Sequence, residues 1–87
     1  MRVSAIGTKL MMRLEGYADP HPVWFRAKAP FTAEIVAWLK ERGVTVKEGR
    51  NQGTASLTKE QVYLFSDQEW LFFIDFNSIL RGLGDPS

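Results

Sequence analysis

The chain has 87 residues, 45% of them apolar, and a formal net charge of +1. A chain this short buries roughly 60–65% of its unfolded surface, so its length predicts a single globular domain over residues 1–87 with one modest core. It has no cysteine and only one histidine, His21, which excludes disulfides and zinc as staples, and no stretch approaches the roughly 20 apolar residues of a membrane span.

Absent cysteine suits a reducing compartment, and a cytoplasmic location is the expectation. The charge is unevenly spread. Residues 1–28 hold five Lys/Arg against two acids, residues 29–50 four against three, and residues 51–87 two against five. Such asymmetry marks either differently charged surfaces or oppositely charged strands side by side.

The start, MRVSAIGTKLMMRLEG, is basic, but its longest apolar run, Leu10-Met11-Met12, is too short for a signal peptide. Thr8 to Glu15 alternates, with Leu10, Met12 and Leu14 on one side and Lys9, Met11, Arg13 and Glu15 on the other. Alternation of this kind predicts a half-buried strand. Gly16 to Pro22, GYADPHP, reads as a loop, because each proline biases the residue before it away from the helical region. Val23 to Ala29 alternates again. Val23, Phe25, Ala27 and Ala29 point one way, and Trp24, Arg26 and Lys28 the other, which predicts a hairpin partner for the first strand.

Phe31 to Arg42 carries the signals of a helix. Thr32 is a good N-cap, Glu34 lies in the first turn, Lys40 and Arg42 lie in the last, and Gly43 follows as terminator. Phe31, Ile35, Val36, Leu39 and Trp38 form its apolar stripe. Val44 to Glu48 restarts alternation and predicts a third strand, joined to the second by a right-handed crossover if the two are parallel. Gly49 to Ser56 reads as a flexible polar loop, and Thr58 to Gln61 has the pattern of a capping box, enough for one helical turn.

Gln61 to Phe76, QVYLFSDQEWLFFIDF, holds ten apolar residues, six of them aromatic. Aromatic runs around the short polar break Ser66–Glu69 predict a β-hairpin. Alternation puts Tyr63, Phe65, Trp70, Phe72, Ile74 and Phe76 on one face and Val62, Leu64, Leu71, Phe73 and Asp75 on the other. Both faces are apolar, so each needs a cover. Beyond it, Asn77 is positioned to cap a short helix over residues 78–81, with Asp85-Pro86-Ser87 frayed. The fold class expected is therefore α+β. A mostly antiparallel sheet of about five strands, in the order ββαβββ, carries one main helix on one face and a short C-terminal helix.

Catalytic machinery is sparse. His21 with Asp19, and Glu60 with Asp75, are the only acid–base candidates. The first pair sits in a proline-bound turn, where such residues usually serve turn geometry. There is no nucleophile elbow, and Gly49 to Gly53 lacks the lysine of a phosphate loop. No enzyme activity, cofactor or metal site is expected. Two surface readings remain. Lys9, Arg13, Trp24, Arg26, Lys28 and Lys47 point away from the expected core and combine bases with an aromatic, as single-stranded nucleic acid requires. The acids Asp67, Glu69 and Asp75 oppose that reading. The leading reading is a protein–protein interaction module. Protein interfaces favour aromatics, Met and Arg, and Met11, Arg13, Trp24, Arg26, Lys28, Tyr63, Phe65, Trp70 and Phe72 form the candidate binding surface. A foreign protein or a second copy in a homodimer would cover the spare hairpin face. An inhibitor or adaptor of a nucleic-acid-processing complex, like those of phages or mobile elements, fits this size and chemistry by analogy alone.

Overall fold

The computed structural model describes residues 3–77. Among these, three helices and a three-stranded antiparallel sheet follow one another as α1 (Thr8–Gly16), β1 (His21–Ala27), α2 (Ala33–Glu41), β2 (Gln52–Leu57), α3 (Lys59–Ser66) and β3 (Leu71–Phe76), with a single 3-10 turn at Val3–Ala5 before α1. The α+β class stands, but the sheet has three strands where about five were expected. The short helix expected over residues 78–81 and the frayed end lie outside the described residues.

The first correction falls on Thr8 to Glu15, which is helical. Leu10 and Leu14 are four apart and share a helix stripe as readily as a strand face, and the segment consists mainly of strong helix formers. Met12 decides between the two periods. A strand would bury it between Leu10 and Leu14, whereas it is 67% exposed while they are buried. There is thus no hairpin between this segment and the next.

β1 confirms the alternation read from its sequence. His21, Val23, Phe25 and Ala27 are buried, and Trp24 and Arg26 turn to the opposite face. α2 is the expected helix. The Thr32 hydroxyl accepts the Ile35 amide, and Gly43 takes the left-handed conformation at φ +80°.

The third strand is displaced along the chain. Residues 44–48 run beside the core without joining a ladder, and β2 comes from the stretch read as a flexible loop. Gln52 to Leu57 pairs antiparallel with β1, from Arg26↔Gln52 to His21↔Leu57. The small residues Gly53 and Ala55 explain the choice. They fall opposite Phe25 and Val23, where the bulky Phe25 ring needs room. Because β1 and β2 are antiparallel, no right-handed parallel crossover exists between them.

The aromatic hairpin is the largest correction. Its first half is α3, and its second half is β3. The capping box at Thr58 is complete, with the Thr58 hydroxyl accepting the Gln61 amide and the Gln61 side chain accepting the Thr58 amide, and it launches eight helical residues rather than one turn. Val62, Phe65 and Ser66 recur at helical spacing as its buried face. β3 pairs with the other side of β1, so β1 is the central strand.

Phe25 on β1 lies at the middle of the core. Its ring meets Phe31 at 6.1 Å, Phe65 at 5.6 Å and Trp70 at 6.4 Å, and Trp38 of α2 touches both Phe65 and Trp70. These tilted and edge-on contacts are the geometries aromatic quadrupoles favour. They tie α2, α3 and the sheet together.

Candidate functional site

Alternation along the sheet separates a buried face from a wetter one. Opposite the core, β1 presents Trp24 and Arg26. Their ladder neighbours are Thr54 and Gln52 on β2 and Asp75 and Phe73 on β3. Arg26, Gln52 and Thr54 are exposed, while Trp24 and Phe73 are half-buried against each other with ring centroids 5.9 Å apart.

The pairing of β1 with β3 is interrupted beside this face. Arg26 lies opposite Phe73 and Ala27 opposite Leu71, so Phe72 has no partner across the ladder. A bulge of this kind re-aims the extra side chain. Phe72 is accordingly 59% exposed, although its neighbour Leu71 is fully buried. Arg26, Ala27, Lys28, Asn51 and Phe72 line a shallow cleft of about 310 Å³. The cleft is held open by backbone bonds on both sides, from Ala27 to the Asn51 carbonyl at 2.7 Å and from Lys28 to the Trp70 carbonyl at 2.9 Å.

The nine residues expected on one binding surface therefore divide. Arg26, Lys28 and Phe72 meet in the cleft, and Trp24 adjoins Arg26 on the strand. Met11 and Arg13 are on α1 instead. Met11 packs against the core, and the Arg13 guanidinium lies 4.6 Å from the Tyr17 ring and 4.8 Å from the Phe76 ring. Phe65 is fully buried and so lies off the surface, while Tyr63 and Trp70 are half-buried in the core packing, because the hairpin that was to expose all three does not form.

Asp19 and His21 do come together, but in a structural setting. His21 is fully buried, with Nε2 3.0 Å from Asp19 Oδ1 in an approach off the ring N–H direction. The same Asp19 oxygen accepts the Lys59 amide at 2.7 Å, at the start of α3. Glu60 is exposed on α3, and the Asp75 carboxylate is engaged by the Leu10 and Phe76 amides. Among the described residues no group of three or more His, Asp or Glu is placed to hold a metal ion, and no helix is long and apolar enough to cross a membrane.

Phe73, Asn51, Gln52 and Thr54 border the cleft and its face without having been singled out. A signal for the last two was present. Residues 52, 54 and 56 are Gln, Thr and Ser, and 53, 55 and 57 are Gly, Ala and Leu, which is strand alternation hidden by a weak apolar side. No protein family, curated protein or solved structure matches this chain.

Proposed function

We propose that the protein is a non-enzymatic interaction module that grips a protein partner at the Arg26–Lys28–Phe72 cleft. The carrying observation is Phe72, an aromatic side chain turned outward by a bulge and set beside two cations. Among the described residues Tyr17 is the other exposed ring, and it carries the Arg13 guanidinium against its face, whereas Phe72 stands at the bulge with its ring open. Aromatic anchors next to arginine are what interface centres enrich. Acidic side chains flanking an apolar one on the partner would match the cleft. In this reading the chain serves as an adaptor or inhibitor of a larger assembly.

A second reading, single-stranded nucleic acid on the open sheet face, draws on the Trp24–Phe73 pair beside Arg26, since bases stack on aromatics flanked by cations. It is the weaker one. The cations on this side, Arg26, Lys28 and Arg50, stand with acids rather than in an unbroken basic track: Glu48 precedes Arg50 in the chain, and Asp75 is the ladder neighbour of Trp24.

The two readings separate in one pair of experiments on Phe72→Ala and on Arg26→Glu with Lys28→Glu. A protein partner is lost in both variants. An oligonucleotide would be lost in the charge reversal, with binding that falls steeply with salt. Partner binding unchanged in both variants contradicts the cleft as the site.

A further inference from the structure

The sheet has two edges, and the chain treats them differently. Outside β3, Ile6 forms a parallel bridge to Ile74, and the Gly7 amide donates to the Ile74 carbonyl at 2.8 Å. That edge is partly closed by the protein itself. Outside β2, no strand or bridge follows among the described residues.

The direction of the β2 backbone groups follows from the ladder. Ala27 donates toward Asn51, whereas Lys28 donates to Trp70 and the Pro22 carbonyl accepts from Asn77. Odd-numbered residues of β1 therefore bond toward β2 and even-numbered ones toward β3. In an antiparallel pair, opposed residues that exchange bonds alternate with pairs that do not. Gly53, Ala55 and Leu57 are then the residues bonded to β1, and Gln52, Thr54 and Ser56 turn their N–H and C=O groups outward. Their side chains are exposed as well.

Natural sheets guard such edges with lysine, proline, bulges or a covering element. Among the described residues β2 has none of these: Gln52–Leu57 is uncharged, contains no proline, pairs with β1 without a register break, and is followed on its outer side by no further strand or bridge.

We infer that β2 is a self-association edge, pairing antiparallel with β2 of a second copy about a two-fold axis near Thr54. This goes beyond the cleft reading and does not depend on it. Self-pairing sets Gln52 opposite Ser56 and Thr54 opposite Thr54, small polar pairs without like charges across the ladder. The flanks are complementary. Arg26 pairs with Gln52 across the ladder, and the turn that leads into Gln52 carries Lys47 and Arg50 against one acid, Glu48; beyond Leu57 the chain carries Glu60 against one cation, Lys59, whose amide donates to Asp19. An antiparallel two-fold brings the cationic end of each copy to the acidic end of the other, and the surface is self-complementary as a two-fold interface must be.

The test measures mass against concentration by sedimentation equilibrium, with amide hydrogen exchange on the same samples. A monomer–dimer equilibrium is expected, with the amides of Gln52, Thr54 and Ser56 protected as the dimer forms. Thr54→Pro removes an outward donor without touching the β1 ladder, and Thr54→Lys sets two cations face to face. Each weakens association by about tenfold or more, the scale of lost cross-strand bonds and a like-charge clash. If the proline variant unfolds, the lysine variant carries the comparison alone. A chain that stays monomeric throughout overturns the proposal, as does a dimer that ignores both changes. So does a monomer whose β2 amides are protected only by a foreign extended peptide.

Discussion

Oδ1 of Asp75 accepts the backbone N–H of Leu10 at 3.2 Å, across 65 positions of sequence. Gly7, the N-cap residue of α1, has no side chain to offer that amide, so a carboxylate from β3 supplies the missing cap. Gly7 is also the residue that admits it. A Cβ at position 7 would overlap the Asp75 carboxylate. One contact thus joins the first helix to the last strand, and places a negative group at the positive end of the helix dipole. Asp75→Ala is expected to lower stability by about 1–2 kcal/mol, the usual cost of a lost cap, in a urea titration. Gly7→Ala should cost at least as much, because it displaces the same carboxylate.

Gly53 makes a similar space in the sheet. A Cβ there would stand 2.8 Å from Cζ of Phe25 and 2.9 Å from Cγ1 of Val46. Gly53→Ala therefore crowds the ring at the centre of the core, and a loss of about 1–3 kcal/mol is expected, as for other overpacked sites. Thermal unfolding followed by tryptophan fluorescence reads it. Unchanged or raised stability would mean that Phe25 and Val46 shift freely.

Phe65 and Phe72, which the hairpin reading put on one face, separate cleanly in energy. Phe65 is fully buried, and Phe65→Ala should cost about 3–5 kcal/mol. Phe72 is 59% exposed, and Phe72→Ala should leave stability within about 0.5 kcal/mol. Denaturation curves of the two variants, measured side by side, check the contrast. Equal losses would restore the hairpin.

Thr58→Ala is expected to cost about 1 kcal/mol by opening the capping box. Amide exchange over Lys59 to Gln61 should quicken by more than exchange in β1. No local change there would show that Asp19 alone, through the Lys59 amide, holds the start of α3.

What the sequence displays depends on whether a segment's pattern has one period or two. α2 and β1 were legible because Thr32, Gly43 and the Val23–Phe25–Ala27 alternation each point to one structure. Leu10 and Leu14 fit both periods, Met12 completes a strand pattern the fold does not use, and Asp75, from far along the chain, caps the segment as a helix. Gln61–Phe76 is apolar at so many positions that a strand and a helix are equally easy to draw through it. The Thr58 box was visible, and its reach was not. β2 was missed because its inward residues are glycine and alanine, small for the sake of Phe25. The cleft was half legible. Arg26 and Lys28 follow from the β1 alternation, whereas the exposure of Phe72 comes from a bulge that no local pattern announces.

The interaction surface is tested most directly by a photo-crosslinking amino acid in place of Phe72, irradiated in the native cell. The control carries the same group in place of Met12, which is 67% exposed on α1. The account predicts a discrete adduct from position 72 that protease removes and nuclease does not, with none from position 12. An adduct sensitive to nuclease, or the same products from both positions, would contradict it.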